Sequence, residues 1–384
     1  MPPSFFRRDD SAGRPSTAVR IVEIITAFVA AGLIAAALAA NQSWLDRHFV
    51  PSFFLPRPWY VGIETIVRAG IGVAGAAAMF MRSRIASAVM RQAGMSALVV
   101  AAAGLGLAAG ELTLRVIHPR PTEWLLPGEE PRRQADPQLG WVLAPARAGR
   151  ASVGGRTIEY ALDRQGYRVR QVDEPVDPER PTLVFAGESV LFGEGLRWEE
   201  SIPAQTGAML GVSTANLAVH GYSTDQIYMR LARELPRFRQ PTAVIGIFMT
   251  ELFGRNLDDD RPHLGPGLVW HPARRGSRLA ALAGMLVPYR RDDTVEQGIR
   301  TTREVLRATV NLARARHAQA LIIVPRFGPE DAAQRALRER ILSSDIPQVI
   351  VPLDPDWRLP WDRHPNARAA HVIAAAVAAR LARP

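Results

Sequence analysis

The sequence predicts an α/β protein: a three-layer, doubly wound, parallel five-stranded sheet preceded by three transmembrane helices. Three observations predict it. Long apolar runs are confined to the first 117 of 384 residues. From residue 180 onward, short runs rich in β-branched residues alternate with amphipathic segments. Near-continuous apolar strands separated by helices imply a parallel sheet covered on both faces. Finally, residues capable of chemistry come after several of the strands: Ser189, Gly221, Thr250, and Asp362 with His364.

The membrane region comes first. Residues 21–40, 59–81 and 93–117 are each long and apolar enough to cross a bilayer, which takes about 20 residues of helix. Apolar residues surround each segment instead of forming one stripe, which argues against three buried core helices. Arg7, Arg8, Arg14 and Arg20 precede the first span, and Arg82, Arg84 and Arg91 lie between the second and third. Only Arg47 and Arg57 lie in the longer first loop. The positive-inside rule then puts the N-terminus and second loop in the cytoplasm. The chain after residue 117 is expected in the periplasm or extracytoplasmic space, as part of a multi-pass inner-membrane protein. The first segment also reads as a cleavable signal peptide, because "AALAAN" offers small residues at its end; the later spans keep their direction either way. Glu64 and Arg68, four apart on the second span, read as a pair that satisfies itself, and Glu111 and Arg115 repeat the spacing.

Residues 118–145 carry six prolines, at 119, 121, 127, 131, 137 and 145, and are expected to form a stiff linker. The globular domain is expected over 146–384. It opens with a β-rich prelude in which "VGGRT" marks a hairpin turn. Strands are expected at 182–187, 213–219, 243–249, 319–325 and 348–353. Helices are expected between them, including one capped by Thr224 or Asp225, a long charged one over about 295–317, and a closing one over 366–382. In doubly wound sheets, ligands bind beyond the carboxyl ends of the strands. The residues after the strands are therefore the candidate site: a serine, a glycine amide, a hydroxyl and an Asp/His pair, the parts needed for acyl transfer.

Composition excludes several classes. The chain has no cysteine, so disulfides, thiolate catalysis and cysteine-ligated zinc are ruled out. Its net charge is +10, and all 47 basic residues are arginine. These are scattered and often adjacent to acids, as in Arg338-Glu339-Arg340, and form no basic cluster with interleaved aromatics; nucleic acid is not expected as a partner. Asp258, Asp259, Asp260, His263 and His271 lie close together, but their spacing matches no metal motif. No metal and no cofactor are expected.

Three blocks resemble those of the SGNH (GDSL-like) hydrolase superfamily, and the likeness covers about residues 135–384 from the lead-in "DPQLGW". "GESVLFGEG" resembles the first block, usually Gly-Asp-Ser, and implies Ser189 as nucleophile. "NLAVHGYSTDQ" resembles the second and implies Gly221 as an oxyanion-hole amide. "DRHPNARAAH" resembles the last and implies Asp362 and His364 as the other triad members. The implied fold is flavodoxin-like, of the SGNH hydrolase type. At the third block the family usually has asparagine, whereas this chain has Thr250, and Glu188 replaces the usual aspartate. The expected oxyanion donors are Ser189, Gly221 and the Thr250 hydroxyl. Losing the asparagine donor lowers the expected activity, since one donor is worth about 100- to 1,000-fold in turnover. Asn256 lies six residues beyond Thr250.

The expected function is a membrane-tethered extracytoplasmic serine esterase acting on an O-acylated cell-envelope glycan or lipid. Two alternatives stand beside it. One is an O-acyltransferase working with a membrane acyl-donor partner. The other is a catalytically inactive SGNH-fold protein that binds polysaccharide or serves as a scaffold.

Overall fold

The computed structural model describes residues 16–40, 57–117, 129–153, 155–274, 276–286, 290–360 and 363–382. They form two compact units, an N-terminal helical one and a C-terminal α/β one.

The helical unit contains α1 (Thr17–Ala39), α2 (Arg57–Phe80), α3 (Arg82–Arg91) and α4 (Ala93–Ile117). α1, α2 from Pro58, and α4 are long and apolar enough to span a membrane, with mean hydropathies of 2.4, 1.4 and 1.8. α3 occupies the stretch read from sequence as the second loop and carries its three arginines. α1 and α2 approach closely at Gly75, where a Cβ would lie 3.0 Å from the Ala30 carbonyl oxygen. Small residues permit such approach when lipid supplies no hydrophobic drive between helices. Glu64 and Arg68 do pair, at 3.7 Å, and Arg68 also donates to the Ala40 carbonyl at 3.2 Å. Arg82 reaches Glu23 on α1 at 3.3 Å.

The α/β unit begins earlier than the sequence suggested. Residues 118–128 of the expected linker lie outside the described residues, but the rest of it is not a stalk. β1 (Arg133–Asp136) and β2 (Gly140–Leu143) form an antiparallel hairpin. Asp136 accepts the backbone N–H groups of Gln138 and Leu139 at 3.0 and 2.8 Å, and Gly140 takes φ +83°. Proline spacing suggested extension, but Leu139 and Trp141 are fully buried and Leu143 nearly so, so their burial outweighs it.

The main sheet has eight strands, not five, in the order β12-β11-β8-β6-β7-β5-β4-β3. Its parallel part comprises β6 (Thr182–Phe185), β7 (Ser213–Asn216), β8 (Pro241–Ile247), β11 (Gln319–Phe327) and β12 (Gln348–Leu353). β6 lies between β7 and β8, with Val184 opposite Ala215 on one side and Val244 on the other. The three extra strands are the β-rich prelude: β3 (Arg147–Val153), β4 (Arg156–Leu162) and β5 (Arg168–Val169). They run antiparallel along the outer edge of β7, joined through the Arg168–Asn216 pair. This covers an edge that would otherwise expose unpaired backbone. The hairpin signal in "VGGRT" corresponds to the β3–β4 turn, where Gly155 has φ +76°.

Val184, Phe185, Ile245 and Ile323 are fully buried in the core, each contributing roughly 1.5–3 kcal/mol. The helices include α5 (Ser189–Phe192), α6 (Ile202–Leu210), α7 (Thr224–Glu234), α8 (Arg278–Leu286), α9 (Asp292–Arg314), α10 (Ala332–Ile341) and α11 (Ala367–Leu381). α6 packs against α11, and α7 against α9. The cap of α7 is Ser223 and not Thr224 or Asp225, with Gln226 closing a capping box. Asp225 instead accepts the Leu264 N–H at 2.9 Å, tying α7 to the short strand β9 (His263–Leu264).

Candidate active site

β6 ends at Phe185, and the chain turns through Gly187 into α5, whose first residue is Ser189. Gly187 is required sterically: a Cβ there would come within 2.7 Å of the Leu191 side chain. Glu188 caps α5 by accepting the Val190 N–H at 3.1 Å, and Gly193 ends it at φ +86°. Ser189 thus sits at the carboxyl end of a central parallel strand, 5 % exposed.

His364 arrives from the opposite end of the domain sequence. It lies between β12 and α11, in a loop pinned by its own backbone. The Leu359 N–H donates to the His364 carbonyl at 2.8 Å, and the Asn366 N–H to that of Trp357 at 3.1 Å. Asn366 then caps α11 through the Ala369 N–H at 3.0 Å. This frame places His364 Nε2 2.7 Å from Ser189 Oγ. That is within the reach a general base needs. Asp362 lies outside the described residues.

Gly221 comes after β7 in a turn with φ +77°, a conformation that favours glycine. A Cβ would also lie 3.3 Å from the Trp141 ring. The turn is braced on both sides: Trp141 Nε1 donates to the His220 carbonyl at 3.0 Å, and Arg261 Nη1 to the Gly221 carbonyl at 2.6 Å. His220 pairs with Glu194 from the turn after α5, linking the first two blocks. Among the described residues, no acceptor takes the backbone N–H of Ser189 or of Gly221.

Thr250 is engaged elsewhere. Its hydroxyl donates to Glu251 at 3.2 Å. It lines a cavity with Val324, Phe327 and Arg338, whereas Glu188 lines a different crevice with Tyr222 and Thr224. Asn256 is likewise committed. Its oxygen accepts the Thr224 N–H at 2.8 Å, and its amide donates to the Thr224 and Thr302 hydroxyls, both at 2.9 Å. Asp258 pairs with Arg290 at 2.8 Å and with Arg261 at 3.6 Å.

Three residues at the site carried no signal in sequence. Arg168, from β5, is fully buried. It donates to the carbonyls of Phe192, Gly193 and Leu196 at 2.6, 2.8 and 2.6 Å, gathering the orphan carbonyls at the end of α5. The rings of Tyr160 and Phe192 flank it, each 4.9 Å away. Burial pushes its guanidinium down to about 10, partly opposed by Tyr160, Glu194, Glu199 and Glu200. Asn216, also fully buried, donates to the Leu191 carbonyl at 3.0 Å. Arg255 lies 4.0 Å from Glu188.

No family model matches the sequence, and no curated protein matches it. Solved structures do match, and several of those similar to this chain are GDSL or SGNH hydrolases. One is a putative lipolytic protein of the G-D-S-L family from Desulfitobacterium hafniense, with 14% identity and a TM-score of 0.35, covering 52% of this chain and 98% of that one. Another is an acetyl xylan esterase from Butyrivibrio proteoclasticus, with 12% identity and a TM-score of 0.32, covering 54% and 64%. A third is a GDSL-like lipase from Bacteroides thetaiotaomicron, with 14% identity and a TM-score of 0.31, covering 54% and 90%.

Proposed function

We propose that this chain is a membrane-anchored serine acyl-ester hydrolase whose α/β domain works outside the cytoplasm on an O-acylated envelope glycan or lipid. The observation that carries the reading is the 2.7 Å contact between Ser189 Oγ and His364 Nε2. A serine hydroxyl is a weak nucleophile until a base takes its proton. In this reading Ser189 Oγ attacks the ester carbonyl carbon as its proton passes to His364. The imidazolium then returns that proton to the departing alcohol. Water, deprotonated by the same imidazole, releases the acid and restores the serine. Asp362 is proposed to hold the other ring nitrogen and stabilise the imidazolium.

The oxyanion is proposed to meet the backbone N–H groups of Ser189 and Gly221. The acceptor-free state of both groups and the bracing of the Gly221 turn support this role. The doubly wound core supplies the setting, with the nucleophile at the carboxyl edge of the sheet. The outward placement rests on three candidate spans and on arginines concentrated before α1 and within α3.

Two experiments test this. The full chain in detergent should hydrolyse p-nitrophenyl acetate, and Ser189→Ala should not. A folded wild-type protein without turnover would favour the binding or scaffold reading. For topology, the natural absence of cysteine permits a single exposed probe, Ser152→Cys. A membrane-impermeant maleimide should label it in cells whose outer barrier is opened; labelling only after lysis would reverse the orientation.

A further inference from the structure

Ser189 Oγ has two neighbours, and only one proton to offer. His364 Nε2 lies 2.7 Å away on one side, and Glu188 Oε2 lies 2.7 Å away on the other. A carboxylate only accepts hydrogen bonds. If the hydroxyl pointed at His364, two lone-pair-bearing oxygens would face each other at 2.7 Å. The favourable arrangement gives the proton to Glu188, and His364 then meets Oγ as a donor through Nε2–H. In that arrangement the imidazole cannot act as the base.

The surroundings of Glu188 offer a way out. Its side chain is 4 % exposed, and Arg255 Nη1 lies 4.0 Å from Oε2. Oε1 is buried without a hydrogen-bond partner among the described residues. Arg255 is also under-coordinated: its one described hydrogen bond is a long one, 3.4 Å to the Tyr222 carbonyl. A buried carboxylate and a guanidinium that is 16 % exposed are therefore held just short of contact, and leaving the buried carboxylate poorly partnered is costly. What keeps Glu188 off Arg255 is its hold on Ser189 Oγ and on the Val190 N–H.

We propose that Glu188 gates the nucleophile: its carboxylate holds the Ser189 hydroxyl in the resting enzyme and must turn toward Arg255 before His364 can take the proton. The inference rests on the reading of Ser189 as nucleophile. In the opening step the Oγ–H···Oε2 hydrogen bond breaks and Oγ–H···Nε2 forms. His364, keeping its Nδ1 proton toward the carboxylate proposed for Asp362, gives its Nε2 proton to solvent in the same step, so the imidazolium becomes the neutral base and one proton leaves the site. A glutamate reaches Oγ through one more methylene than an aspartate would, so the chain length of residue 188 sets the strength of the hold.

The test is the second-order rate of labelling by a fluorophosphonate, measured on the full chain in detergent. Glu188→Asp keeps the charge and the helix cap but shortens the arm. It should be labelled faster than wild type by about tenfold or more, the equivalent of one charge-assisted hydrogen bond. Arg255→Met removes the alternative partner and should slow labelling of wild type while leaving Glu188→Asp unchanged; a purely structural role for Arg255 would slow both. Labelling of Glu188→Asp at or below the wild-type rate, with wild type itself reactive, overturns the gate and leaves the nucleophile assignment standing. A folded wild type and a folded Glu188→Asp that both fail to label would overturn the nucleophile assignment, and the gate with it.

Discussion

The ends of β6 and β8 lie side by side in one sheet, yet the chain leaves them in different ways. After β6, a tight glycine turn and a four-residue helix aim Ser189 at His364. After β8, Thr250 begins a run of 3₁₀ helix whose polar side chains turn to one another and to α7 and α9. Thr250 donates to Glu251, and Asn256 spends its amide on Thr224 and Thr302. Both hydroxyls donate to the acidic residue beside them, at 2.7 Å for Ser189 and 3.2 Å for Thr250; what sets Ser189 apart is a second partner from across the rim, His364 Nε2 at 2.7 Å.

The contrast yields four expectations, from the largest effect to the smallest. His364→Ala should lower turnover of p-nitrophenyl acetate by about 10⁴-fold or more; a loss under tenfold would remove the distinction between the two strand ends. Arg168→Met takes a buried donor from the carbonyls of Phe192, Gly193 and Leu196, leaving the first to Asn216 and the second to the Leu196 N–H. It should destabilise the α/β domain by roughly 3–5 kcal/mol, read as a fall in denaturation midpoint, and an unchanged midpoint would show that the α5 carbonyls find other donors. Gly221→Ala forces a side chain into a left-handed turn beside Trp141, at about 1–2 kcal/mol; turnover should drop at least tenfold through the displaced amide, with substrate KM little changed. Thr250→Val should leave turnover within about threefold of wild type. A loss of 100-fold would restore Thr250 as an oxyanion donor and make the two strand ends alike.

Much of this was legible in the sequence, for identifiable reasons. Apolar runs with β-branched residues gave the five parallel strands, because buried strands need little else. Gly221, named from the second block, lies in a left-handed turn at φ +77°. Other features were not legible. The β1–β2 hairpin was masked by its prolines, because burial of Trp141 depends on tertiary partners such as the His220 carbonyl. The three added antiparallel strands read as a separate prelude, since nothing local says that Arg168 will pair with Asn216. Arg168 itself acts on carbonyls 24 to 28 residues away, and backbone acceptors leave no pattern in side-chain identity. The contact of Glu188 with its neighbour Ser189 depends on rotamers, which adjacency alone does not fix.

The central claim is a relay between an alcohol and an imidazole that stand 175 residues apart in the chain. It is tested most directly by treating the full chain with a fluorophosphonate and locating the adduct by peptide mass spectrometry. The account predicts modification at Ser189, abolished in Ser189→Ala and slowed by orders of magnitude in His364→Ala. An adduct at another residue, or one forming in His364→Ala at the wild-type rate, would contradict it.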